Sequence, residues 1–316
     1  MNLQTKIPLK PQKFNQIDYN SKVLLLGSCF SENIGEKFAY FKFQKLQNPF
    51  GILFHPLAIE QFITNAINTK EYTKDDIFFY NEQWHCFDAH SRLSHNSEDQ
   101  LLQLLNQNTN EAHQFLEEAS HIIITLGTAW AYRFIETDAY VANCHKIPQK
   151  QFLKELLSIE QITESLEAIL SLIKSINPDI TFIFTVSPVR HTKDGFIENT
   201  QSKSHLIAAI HQVVDPRQYH YYFPSFEIMM DELRDYRFYN EDMLHPNQTA
   251  IHYIWERFQN VWISEDAQST MTVVDDVQKG LAHVPFNPNS DAHQAFLQQL
   301  KTKETLMKSR FPYIEF

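Results

Sequence analysis

Three runs of the chain, VLLL at 23–26, IIIT at 122–125 and ITFIFTVS at 180–187, are apolar almost throughout rather than at alternate positions. A strand of that kind needs cover on both faces, which a parallel sheet between two helical layers provides and a half-solvated antiparallel sheet does not. The intervening segments have helical spacing. Ile34, Phe38 and Phe41 predict a helix over 31–41 with Ser31 as its cap. A second amphipathic helix is expected over 56–69, and Leu101, Leu104, Leu105 and Phe115 define one over 97–118. Ser158-Ile159-Glu160-Gln161 has the capping-box pattern and opens a helix that Asn177-Pro178 stops. Further helices are expected over 199–214 and from Pro246 to Trp262. With weaker strands at 43–46 and 219–223, strands and helices alternate five times. This is the order of a doubly wound, three-layer αβα fold on a parallel five-stranded sheet.

The 316 residues and 43 % hydrophobic content are enough for one substantial core. Residues 1–263 are expected to form the α/β domain, with a hairpin at 132–141 turning at Glu136–Asp138. The polar, aromatic stretch 71–95 is read as an insertion, and 264–316 as a helical extension packed on the domain. A formal charge of −11 argues against a nucleic-acid partner, whose phosphates require a basic footprint. No apolar run suits a signal peptide or a membrane span. Cys29, Cys86 and Cys144 are odd in number and lack C-x-x-C spacing, which fits a reducing compartment; a cytoplasmic location is the expectation. His85, His90 and His95 recur every five residues, a step that does not share a helix face, so they are read as partly exposed histidines and not as a metal site. No glycine-rich phosphate loop follows the first strand, and no cofactor is expected.

In a doubly wound sheet the ligand sits beyond the carboxyl ends of the strands, so the residues just after the strands carry the candidates. After the first strand, Gly27-Ser28-Cys29-Phe30-Ser31 places two potential nucleophiles at a helix start, where free N–H groups favour negative charge. A cysteine so placed is expected to have a depressed pKa. The structural alternative makes Ser28 a helix cap and Cys29 a small buried residue. Asp242-Met243-Leu244-His245 lets a carboxylate fold back on an imidazole, fix its tautomer and stabilise the imidazolium. After the 180–187 strand, Arg190 offers a fork for a carboxylate or phosphate and His191 a hydrogen bond.

GSCFS at 27–31, TVSPVRH at 185–191, RDYRFY at 234–239 and EDMLHP at 241–246 resemble the GSCFA family, with Ser31 in place of the family's alanine. The likeness covers roughly residues 20–260. That family is similar to the SGNH, or GDSL-type, hydrolases, a resemblance that implies a flavodoxin-like sheet and an acyl-enzyme mechanism with a late Asp-x-x-His. Laying GSCF on GDSL without a gap puts Cys29 at the nucleophile position and Ser28 at that of the aspartate. The same resemblance implies an oxyanion glycine after the second strand, which Gly51 fits, and Gly-x-Asn after the third, where Gly127-Thr128-Ala129 lacks the Asn; Thr128 or Asn143 is the substitute. The expected activity is hydrolysis of an acylated small molecule by a Cys29 or Ser28, His245, Asp242 set. Transfer of the acyl group to another acceptor and ligand binding without turnover remain the alternatives, and oligomeric state is not legible.

Overall fold

The computed structural model describes residues 4–316. Its central sheet contains β1 (Lys22–Gly27), β2 (Gln44–Gln47), β5 (His121–Leu126), β9 (Thr181–Val186) and β10 (His220–Tyr222), all parallel, in the spatial order β2-β1-β5-β9-β10. Side chains alternate across it. Leu24, Leu26, Ile122, Ile124, Phe182 and Phe184 enter one buried cluster, while Val23, Leu25, Ile123 and Ile183 enter the other. The first cluster is closed by α2 (Pro56–Ile67), α3 (Glu98–Glu118), α4 (Ile159–Ile176) and α5 (Phe196–Val213), the second by α1 (Cys29–Tyr40) and α7 (Gln248–Trp262). The fold is therefore the three-layer α/β sandwich expected from the apolar runs. Because the chain proceeds outward from β1 in both directions, the switch point lies between β1 and β5, where such folds open a crevice.

Several boundaries differ from expectation for local reasons. The first helix begins at Cys29, two residues early, because Ser28 and not Ser31 is its cap: Ser28 Oγ accepts from the Phe30 amide at 3.3 Å. Ser31 is instead buried within the helix. The 71–95 insertion contains a hairpin of β3 (Phe78–Tyr80) and β4 (Gln83–His85). His85, expected to be partly exposed, is buried there, with its ring on the Ser94 hydroxyl at 2.6 Å and the Tyr80 carbonyl at 2.9 Å. The hairpin of β6 (Trp130–Phe134) and β7 (Ala139–Val141) gains an unforeseen third strand, β8 (Phe152–Leu156), on the far edge of β6.

A single turn, α6 (Ser225–Glu227), runs into a wider-pitched turn at Ile228–Glu232. Beyond α7, α8 (Glu265–Ala282) sends Ala267, Met271 and Val274 into the second cluster. Met307, at the end of α9 (Asp291–Arg310), joins it with Phe311 and Ile314. The extension is thus part of the packing of that face. No helix among the described residues is long and apolar enough to cross a membrane.

Candidate active site

The carboxyl edge of the sheet gathers three loops. The first leaves β1 through Gly27, whose φ of +124° and close approach to the Thr125 carbonyl leave no room for a Cβ. Ser28 follows with 0 % exposure and its hydroxyl committed to the cap. Cys29 is the first residue of α1 and is half-buried. Its sulfur faces the Cys29 and Phe30 amides, which favour the thiolate, yet burial outweighs them and pushes the thiol up. The expected depressed pKa is therefore corrected: the helix start is present, but it lies too deep for its amides to win. Glu32, one turn on, acts in the same direction as burial, tempered by its two-pronged pair with Arg92 at 2.6 and 3.1 Å.

The second loop carries Asp242 and His245. Met243 adopts φ +58°, which folds the segment back so that Asp242 Oδ1 accepts from the Leu244 and His245 amides at 2.9 and 3.0 Å. Asp242 Oδ2 then meets His245 Nδ1 at 2.6 Å. The backbone amides and then the imidazole hold the Asp242 carboxyl down at about 2. Both side chains are exposed.

The third loop follows β9. The Arg190 amide donates to the Leu244 carbonyl at 3.2 Å, tying it to the Asp242/His245 turn. No carboxylate lies within ion-pair distance of the Arg190 guanidinium among the described residues. His191 stands edge-on to Phe54, with its amide on Asn199 Oδ1 at 2.8 Å and its Nε2 buried without a partner. Burial, the Lys203 cation and His245 push its pKa down to about 3, so the ring is neutral at physiological pH.

Two of the expected oxyanion groups are otherwise engaged. The Gly51 amide donates to the Asn48 carbonyl at 2.7 Å, and Thr128 Oγ1 accepts from the Trp130 amide at 3.0 Å and lies 3.1 Å from Ser202 Oγ. Asn143 accepts from the His145 amide through Oδ1 at 2.8 Å and faces a cavity of about 400 Å³. That cavity adjoins the site, since Thr128 and His191 also line it, together with Phe54, Trp130, Tyr132 and Val141. A larger one, about 820 Å³, opens between α8 and α9, lined by residues of the 276–303 segment and by none of the three loops. Size alone would favour it, but only the smaller one is lined by a residue of the three loops, His191; Cys29, Asp242 and His245 line neither.

Two groups at this edge escaped the sequence reading. Lys203, on α5, is fully buried and donates from Nζ to the Gly127 carbonyl at 2.7 Å and the Ser187 carbonyl at 2.8 Å. Burial pushes its pKa down, opposed by the Cys29 thiolate, which favours the ammonium form. Asn48 accepts from the Gly27 amide at 2.9 Å, leaving Nδ2 buried and unpartnered. Lysines within helices are usually solvated, and Asn48-Pro49 reads as turn chemistry, so only the three-dimensional fold exposes either.

No curated protein matches the chain. The family model described as the GSCFA family matches residues 22–258, and that of the GSCFA domain protein C-terminal domain matches 274–316. With a match over most of its length that takes in all three loops, the chain belongs to the GSCFA family.

Proposed function

We propose that the protein is an acyl hydrolase in which Cys29 is the nucleophile, His245 the general base and Asp242 the group that orients it. The observation that carries this reading is the 2.6 Å Asp242–His245 pair, on a loop tied to that of His191, at the same sheet edge as a half-buried thiol. The Ser28 hydroxyl is fully covered and spent on the helix cap, which favours Cys29. The likeness of the motifs to SGNH hydrolases adds the same order of blocks.

Because burial keeps the Cys29 thiol protonated, the proton leaves as attack occurs. The sulfur adds to the acyl carbonyl while its proton passes to the outer imidazole nitrogen of His245, whose other nitrogen is held by Asp242. The Cys29 amide, at the helix start, faces the developing oxyanion, and Asn48 Nδ2 is an uncommitted buried donor at the base of the same loop. Collapse breaks the bond to the leaving group, which takes the proton back from His245 and leaves an acyl thioester. Water, deprotonated by His245, then releases the acid and restores the thiol. The aromatic 400 Å³ cavity bounded by Phe54, Trp130, Tyr132 and Val141 suits an apolar acyl group.

The raised thiol and the engaged Gly51 amide favour a second reading, a protein that binds an acylated ligand in this cavity without turning it over. Hydrolysis of nitrophenyl esters and of acyl thioesters of graded chain length separates the two. Turnover that is lost in Cys29→Ala and His245→Ala but kept in Ser28→Ala supports the hydrolase; saturable binding with no turnover above the Cys29→Ala background supports the second reading.

A further inference from the structure

Lys203 has no role in the steps above, yet its setting is costly. An ammonium group wholly removed from water requires compensation, and Lys203 has two backbone carbonyls and, among the described residues, no carboxylate within ion-pair distance. Those carbonyls belong to Gly127 and Ser187, the first residues beyond β5 and β9. A Cβ placed on Gly127 would lie 3.2 Å from Ser28 Cβ, so Gly127 backs the loop that carries Cys29. Ser187 begins the loop whose Arg190 amide binds Leu244, next to His245. One buried side chain therefore joins the nucleophile loop to the Asp242/His245 turn.

We propose that Lys203 is a positioning residue for the nucleophile: its ammonium group braces the two loops and supplies the positive charge that stabilises the Cys29 thiolate as the proton leaves. This rests on the preceding reading only for the identity of the nucleophile. The electrostatics agree with the geometry. Lys203 is foremost among the groups that lower the Cys29 thiol, and the Cys29 thiolate is the group that favours the Lys203 cation. Such coupling is reciprocal: burial drives the lysine toward neutrality, and the thiolate opposes it by favouring the ammonium form. A lysine that merely glued two strand ends would brace the loops equally well as a neutral amine and would leave the thiol indifferent to its removal.

The test is the pH dependence of Cys29 alkylation by limiting iodoacetamide, mapped by mass spectrometry in the full chain, for wild type, Lys203→Met and Lys203→Gln. Methionine fills the volume without charge, and glutamine keeps an amide donor for the carbonyls without charge. Both variants are expected to raise the midpoint of Cys29 reactivity by about one pH unit, which is about tenfold slower alkylation below it, while Cys144 reacts as before. An unchanged midpoint in a folded variant overturns the proposal, and loss of the folded state in both assigns Lys203 to the scaffold alone, also against it. The assay uses no substrate. A shifted midpoint in a protein that hydrolyses no ester would defeat the hydrolase reading and leave the Lys203–Cys29 coupling standing.

Discussion

Acidification from pH 7 to pH 5 is expected to destabilise this fold steeply, because three histidines, His55 and His145 buried and His191 half-buried, are held in the neutral form. His55 accepts from the Ala58 amide through Nδ1 and meets the Val141 carbonyl at 3.1 Å; His145 meets the Cys86 carbonyl at 2.7 Å; His191 has its Nε2 buried without a partner. Burial pushes them down to about 4, about 4 and about 3. The unfolded chain binds a proton at each near the ordinary value of about 6.5, whereas the folded chain does not until its own lower value is reached. Stability is therefore at its fullest above about pH 6.5 and drains as pH falls toward about 4. Integrated from pH 7 to pH 5, each ring removes about 2 kcal/mol, and the three together about 6 kcal/mol, a large part of what a domain has. Urea unfolding followed by tryptophan fluorescence at the two pH values measures the drop. His145→Gln keeps a donor for the Cys86 carbonyl and removes one titration, so about a third of the drop should vanish. Equal stability at pH 7 and pH 5, or an undiminished drop in His145→Gln, refutes the reasoning.

Asp242→Asn should lower turnover by 10²- to 10⁴-fold with little change in KM, since the carboxamide can still accept the two backbone amides but presents the wrong partner or tautomer to His245; steady-state kinetics on the best ester measures it. Because the Asp242 carboxyl is held at about 2, its contribution is present above the ordinary value of about 3.8 and is lost only as pH falls through about 2. A pH–rate profile should accordingly place no acid limb at Asp242 above pH 4. Ser28→Ala should cost about 1 kcal/mol through loss of the α1 cap, read as a lower urea midpoint, with turnover within a few-fold of wild type. Ala142→Trp, which fills the 400 Å³ cavity, should raise KM for long acyl chains more than for acetyl; a uniform effect would place the acyl group elsewhere.

The sheet was legible because VLLL, IIIT and ITFIFTVS could be covered only on both faces, and the order of motifs after those strands pointed to its carboxyl edge. Asp242 and His245 are three residues apart, and a local turn brings them together. What sequence spacing could not convey was depth. It places Cys29 at a helix start but does not tell how far burial opposes the amides there, and with serines at both 28 and 31 it does not show which one caps the helix; the structure gives that place to Ser28. Lys203 looked like any solvated helical lysine; its role at the junction of β5 and β9 depends on the packing of α5, which no local pattern encodes. Gly51 shows a related limit: it has the anticipated position and a left-handed φ of +74°, but the direction of its amide is set by the turn with Asn48.

The central claim is that Cys29 carries the acyl group, and rapid acid quench of wild type and His245→Ala with a slowly deacylating ester, followed by peptide mass spectrometry, tests it most directly. The account predicts an acyl mass increment on the peptide spanning the β1–α1 turn, located to Cys29 by fragmentation, formed within the first turnover by wild type and absent from His245→Ala. An increment on Ser28, or equal labelling of Cys29 and Cys144 regardless of His245, would contradict it.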